Sequence, residues 1–133
     1  MQSRPLMTYP LTILCTLAII VLSLAPIGAP EMARDVPLFD KWAHFVMYGA
    51  LTLTVCWELR RRYGTRVPSR RLVLLGVVFP VLLGGLMELG QAYLTTYRSG
   101  EWLDALADTI GALLGLALSL AVGKVAAGNR GKF

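Results

Sequence analysis

The chain is 133 residues long, 56% of its residues are hydrophobic, and its formal net charge is +5 at pH 7. This length and apolarity fit a single membrane domain and leave no room for a soluble domain beside it. The positive charge does not call for a nucleic-acid partner, because six of the 13 basic residues fall in one short segment between two apolar stretches. We therefore expect an integral membrane protein.

Four apolar segments follow one another along the chain. They are residues 6–27, 42–59, 72–93 and 105–122. Each is about as long as an α-helix must be to cross a bilayer. The sequence therefore predicts an all-α fold, a bundle of four transmembrane helices within residues 1–123. The basic, glycine-rich residues 124–133 are predicted to form a disordered cytoplasmic tail.

The first segment has a second interpretation. Arg4, the apolar stretch after it and the small residues around Ser23 and Ala25 resemble a signal peptide with its cleavage site. Pro26 follows that site directly, and the apolar run is long for a signal peptide. Both features favour an uncleaved anchor, so we expect this segment to be retained as a membrane span.

Charge is distributed unevenly between the connecting segments 28–41, 60–71 and 94–104. Residues 60–71 carry six arginines and no acid. Positive residues stay in the cytoplasm during membrane insertion, which predicts an inner-membrane, multi-pass protein with both termini inside. With that orientation the inner side holds ten basic residues and one acid, Glu58, while the outer side holds three basic residues and seven acids.

Several residues have a structural interpretation. Pro80 predicts a kink in the third helix. The spacing of Gly111 and Gly115 is typical of close packing between membrane helices. Cys15 and Cys56 fall in different spans and at different depths, so we expect neither a disulfide nor a metal pair between them.

Polar side chains share one helical face in each of the last three segments, near the predicted outer end. They are Lys41, His44 and Tyr48 in the second segment, Glu88 and Gln91 in the third, and Asp104 and Asp108 in the fourth. An ionisable group inside a membrane span costs about 2.5–3.5 kcal/mol at the helix centre. Since the topology brings all three ends to one membrane depth, we expect these side chains to meet in an outward-facing polar pocket.

The individual residues leave alternatives open. Asp40 is predicted to be the N-cap of the second helix, and Asp104 is interpreted either as the N-cap of the fourth or as part of a binding site. His44 alone would suit a hydrogen bond between helices. Glu88 and Asp108 each lie one turn inside a span, so they need a cation or a metal ion to share one site.

The order and spacing of these residues resemble the VanZ-like family. The pattern is Asp40-Lys41-x-x-His44-x-x-x-Tyr48, then Glu88-x-x-Gln91, then Arg98, then Asp104-x-x-x-Asp108-x-x-Gly111-x-x-x-Gly115. The family's usual pattern has Asn at the position of Asp108, so this chain adds a negative charge there. The resemblance implies a bacterial envelope protein associated with resistance to the glycopeptide teicoplanin, and it implies no particular reaction.

Two functional interpretations follow for the pocket. In the first it binds or modifies a lipid-linked or phosphorylated envelope headgroup, or a glycopeptide. Lys41 and Arg98 would contact the anion, with Tyr48 and Gln91 as further ligand-binding residues. The carboxylates would hold those cations or accept hydrogen bonds from sugar hydroxyls. Membrane lipids are the other expected partners, nucleic acid is not expected, and a homo-oligomer remains open.

In the second interpretation the protein is an enzyme. His44 or Glu88 would act as general base, and Asp104 and Asp108 would orient it or hold Mg²⁺, Mn²⁺ or Zn²⁺ for hydrolysis or transfer at a lipid headgroup. No serine or cysteine of the sequence is predicted beside His44 at the outer end, so a Ser-His pair finds no support. A third interpretation, an assembly subunit with a purely structural polar core, also stays open.

Overall fold

A computed structural model describes residues 9–24, 39–64, 67–94 and 102–130. These residues form four helices, which confirms the all-α prediction. They are α1 (Pro10–Leu24), α2 (Phe39–Tyr63), α3 (Ser69–Leu94) and α4 (Trp102–Arg130). Pro10 is the first helical residue of α1, where the missing N–H of proline costs no helical hydrogen bond.

Helices α2 and α4 are parallel and pack closely against each other. Lys41 pairs with Asp104 near the start of both helices, and Arg60 contacts Ser119 towards their other end. The guanidinium Nη1 of Arg60 donates a hydrogen bond to the Ser119 carbonyl at 2.5 Å. The arginine-rich residues that end α2 therefore lie at the end of the bundle opposite Lys41.

Helix α1 is antiparallel to α2 and parallel to α3. At its start, the Glu58 carboxylate on α2 accepts hydrogen bonds from the Leu11 and Thr12 amides at 2.5 and 3.3 Å and from the Thr12 hydroxyl at 3.0 Å. These amides have no partner within the helix, so Glu58 caps α1 from outside. Near its end, the Ser23 carbonyl accepts a hydrogen bond from Gln91 on α3.

Glycines allow the close approach of α2 and α4. A Cβ atom on Gly115 would lie 2.8 Å from the backbone oxygen of Gly49, and a Cβ on Gly111 would overlap the Phe45 carbonyl. Any larger residue at these two α4 positions would push the helices apart. The predicted role of Gly111 and Gly115 in helix packing is confirmed.

Pro80 is accompanied by a π-helical turn over Leu74–Val78 in α3. Proline has no N–H, so in a regular helix the carbonyl four residues earlier, that of Gly76, would lose its donor. The hydroxyl of Thr52 on α2 donates to this carbonyl at 2.6 Å. The sequence predicted a distortion at Pro80 and did not predict the link to α2 that accompanies it.

The bundle exposes many large apolar side chains, and its interior contains polar side chains beside an apolar core that includes Leu51, Val55 and Leu59. Large apolar residues are exposed on all four helices, whereas the buried set includes four acids and the chain's histidine. This distribution suits a protein surrounded by lipid rather than water. Two of the described helices, Ser69–Leu94 and Trp102–Gly123, are long and apolar enough to cross a membrane. Pro10–Leu24 is apolar but shorter, and α2 carries more charged residues.

Three boundaries differ from the predictions. Helix α2 already includes Asp40, so the N-cap prediction for that residue is wrong. Helix α4 starts at Trp102, which places Asp104 in the first turn rather than at the N-cap. Its carboxylate still lies where the helix dipole favours negative charge. The helix also continues to Arg130, through residues predicted to be disordered.

Candidate functional site

Five ionisable side chains from three helices meet at the end of the bundle opposite the arginine-rich end, and we call them the polar cluster. They are Lys41 and His44 of α2, Glu88 of α3, and Asp104 and Asp108 of α4. Spacings of three and four residues place each helix's members on one face. Because α2 and α4 are parallel while α3 runs the other way, the three faces meet at one level.

His44 lies between two carboxylates of α4. Its Nδ1 is 2.8 Å from Oδ1 of Asp108, a hydrogen bond whose direction depends on the tautomer. Its Nε2 is 3.7 Å from Oδ2 of Asp104. The other oxygen of Asp104 is 3.0 Å from the Lys41 ammonium. Successive turns of two parallel helices are therefore joined by charged contacts.

Glu88 completes the cluster from α3. One potential ligand atom from each of His44, Glu88 and Asp108 lies within 4.8 Å of the other two, and all three residues are buried. Nitrogen from an imidazole together with two carboxylate oxygens is a donor set that divalent metal ions use in proteins.

Space for the Asp108 carboxylate comes from a glycine on α3. A Cβ atom on Gly84 would lie only 2.6 Å from Oδ2 of Asp108. That oxygen is buried and has no hydrogen-bond partner among the described residues, and the same holds for the hydroxyl of Tyr48. The Tyr48 ring lies parallel to the His44 ring, with centroids 6.3 Å apart. Both polar atoms belong to side chains that are 1% exposed or less.

The predicted site residues are not all in the polar cluster. Gln91 is buried on α3, and its Nε2 donates to the Ser23 carbonyl at 2.8 Å, which ties the ends of α1 and α3 together. Tyr48 is fully buried one turn below His44. Arg98 lies outside the described residues.

Ser23 is a buried polar residue whose place beside α3 was not predicted from the sequence. Its hydroxyl lies beside the Gln91 contact and has no hydrogen-bond partner among the described residues. A single serine within an apolar span only weakly indicates a residue that faces the interior of the bundle, and this serine also fitted a signal-peptide cleavage site.

The residues of the polar cluster lie within a region that matches a known protein family. The sequence pattern of the VanZ/LLP1 family matches residues 6–123, which is most of the chain and includes the whole polar cluster. The chain belongs to the VanZ/LLP1 family. No curated protein and no solved structure matches it.

In this member of the VanZ/LLP1 family the polar cluster combines three buried carboxylates and one buried imidazole with the partly exposed ammonium of Lys41. A carboxylate bonded to one ring nitrogen fixes the orientation of an imidazole, as in general-base pairs and in metal-bound histidines. Buried charges of this kind are costly unless each is paired or coordinated. The arrangement is thus suited to acid–base chemistry or to binding a cation.

Proposed function

We propose that this protein crosses the bacterial inner membrane four times with both termini in the cytoplasm. The polar cluster then faces outward, where it binds or modifies a lipid-linked or other cell-envelope headgroup. The biological setting would be the teicoplanin-type glycopeptide resistance with which the family resemblance is associated. The observation that carries the proposal is the convergence of five ionisable side chains from three helices in one cluster, in which all members except Lys41 are buried.

The charge at the two ends of the bundle supports the orientation. Arg60, Arg61 and Arg62 end α2, and Arg70 and Arg71 begin α3. Lysine and arginine are the residues that keep a segment on the cytoplasmic side. The polar cluster lies at the other end, so this orientation turns it towards the envelope.

Lys41 is more exposed than the carboxylates of the cluster, which supports contact with a headgroup. The Lys41 side chain is 19% exposed, against 8% for that of its partner Asp104. An anionic headgroup would therefore meet the ammonium before the deeper carboxylates. Carboxylates accept hydrogen bonds from hydroxyl groups, so Glu88, Asp104 and Asp108 suit a sugar or glycerol group.

The contact between His44 and Asp108 favours a second candidate, a hydrolase or transferase acting on the same headgroup. Asp108 lies 2.8 Å from Nδ1 of His44 and would hold the ring so that Nε2 serves as general base. The lipid-linked substrate and the outward orientation are the same in both candidates.

Expression of the intact chain in a teicoplanin-susceptible bacterium tests the proposal. We expect the minimum inhibitory concentration of teicoplanin to rise relative to an empty vector, while that of an antibiotic acting inside the cell stays unchanged. Equal susceptibility of the two strains, with the protein detected in the membrane fraction, would contradict the proposed function.

A further inference from the structure

We propose that His44, Glu88 and Asp108 bind a divalent transition-metal ion, zinc or manganese, inside the bundle. One donor atom from each residue lies within 4.8 Å of the others, so modest rotation of the side chains brings all three onto one ion. Zinc binds such nitrogen and oxygen atoms at about 2.0–2.2 Å. Two donors on one ion are then roughly 3–3.5 Å apart, close to the 2.8 Å that already separates His44 Nδ1 from Asp108 Oδ1.

The composition of the polar cluster favours a cation. Three carboxylates, those of Glu88, Asp104 and Asp108, lie around one ammonium and one imidazole among the described residues. Buried charges are strongly unfavourable unless each is paired or coordinated. A doubly charged cation among these carboxylates would be held by electrostatic attraction.

A buried polar atom next to the proposed site is a separate observation. Asp108 is 1% exposed, yet its Oδ2 has no hydrogen-bond partner among the described residues, while its Oδ1 contacts His44. Native proteins rarely leave such an atom unsatisfied, and a bound ion or water is the usual explanation.

The types of ligand atom in the site determine which metal ion fits it. Magnesium and calcium prefer oxygen ligands only, whereas an imidazole nitrogen among carboxylates suits zinc and manganese. Asp104 would keep its contact with Lys41 and stay beside the ring, outside the proposed ligand set. Binding of the ion does not depend on the proposed headgroup function. The proposed headgroup function is needed only for a further role of the ion, in which the ion contacts a phosphate group.

The test uses the detergent-purified protein without a polyhistidine tag, stripped of metal and titrated calorimetrically with zinc, manganese or magnesium chloride. We expect one site per chain for zinc and for manganese and weaker binding of magnesium. Asp108→Asn and Glu88→Gln should each lower the affinity by roughly tenfold or more. Glu58→Gln, which changes a buried carboxylate at the other end of the bundle, should leave the affinity unchanged.

Absence of zinc and manganese binding to the wild-type protein would overturn the proposal, and so would an equal loss of affinity in Glu58→Gln. A spectroscopic measurement needs no variant. His44 is the chain's only histidine. Electron paramagnetic resonance of the manganese-loaded wild type should therefore show nitrogen coupling from a single imidazole. Bound manganese without that coupling would place the ion elsewhere and exclude the site, whatever happens to teicoplanin susceptibility.

Discussion

The imidazole of His44 and the carboxylate of Asp108 belong to parallel helices and meet at 2.8 Å in the interior of the bundle. This approach depends on the glycines of α4 that let α2 and α4 pack closely, and on Gly84 of α3, which leaves space for the carboxylate. The family resemblance leads us to expect Asn at this position. An aspartate instead places a carboxylate against the imidazole, which suits the cluster to a cation.

Adjacent glycines on α3 provide a matched test of that space. Gly84→Ala would place a methyl group 2.6 Å from Oδ2 of Asp108, whereas Gly85→Ala meets no atom within 4 Å. We expect Gly84→Ala to displace the carboxylate and lower both zinc affinity and teicoplanin protection. Gly85→Ala should leave both unchanged. Equal effects of the two substitutions would mean that the Asp108 position is unimportant.

The hydrogen bond between Thr52 and the Gly76 carbonyl should stabilise the packing of α2 on α3. Thr52→Val keeps the shape but leaves a buried carbonyl without a donor, which should cost about 1–3 kcal/mol of unfolding free energy. Thermal unfolding in detergent measures this loss. In a Pro80→Ala background the restored amide of residue 80 can supply the missing donor, so the Thr52→Val effect should shrink. A cost that is identical in both backgrounds would show that Pro80 is not the reason for the contact.

The Glu58 carboxylate should stabilise the start of α1. Glu58→Gln removes a charge that favours the helix N-terminus and weakens the hydrogen bonds from Leu11 and Thr12, at a cost of about 1–2 kcal/mol. Thr12→Val removes one of the same contacts. Because the substitutions share a partner, their combined effect on unfolding should be smaller than the sum of the single effects. If the loss of unfolding free energy in the double variant equals the sum of the two single losses, Glu58 does not cap α1 through Thr12.

Part of this architecture could be predicted from the sequence alone. The apolar segments gave the four helices, and the spacing of Lys41, His44 and Tyr48 placed them on one face of α2. The spacing of Asp104 and Asp108 did the same for α4, and the up-and-down order brought these faces to one end. Periodicity and alternation suffice for such predictions, because both depend only on local geometry.

Contacts that depend on the register between helices could not be predicted in this way. Glu58 was counted as a single acid on a basic side, and only the packing of α1 against α2 shows that it is a cap. The link between Thr52 and Gly76 likewise requires knowing which turn of α2 faces the distorted turn of α3. The position of Ser23 beside Gln91 was not predicted, because the residues around Ser23 resemble a signal-peptide cleavage site. Arg98, which the family resemblance assigns to the site, lies outside the described residues.

Cysteine labelling tests the orientation of the bundle. Cys15 and Cys56 are first replaced, and single cysteines are then introduced within residues 28–38 or at Gly64. A membrane-impermeant maleimide applied to intact cells should label the first site and not the second, and permeabilised cells should be labelled at both. Labelling of Gly64→Cys in intact cells would put the arginine-rich end outside and the polar cluster in the cytoplasm.

Glu88→Gln most directly separates a functional polar cluster from a structural one. The substitution preserves shape and most hydrogen-bonding capacity, and an amide costs less to bury than a carboxylate. Teicoplanin susceptibility and the amount of protein in the membrane are measured together for the wild type and this variant. We predict that protection is lost while the amount of protein stays the same. Full protection by Glu88→Gln, or a loss of protection explained entirely by loss of the protein from the membrane, would contradict a functional role for the cluster.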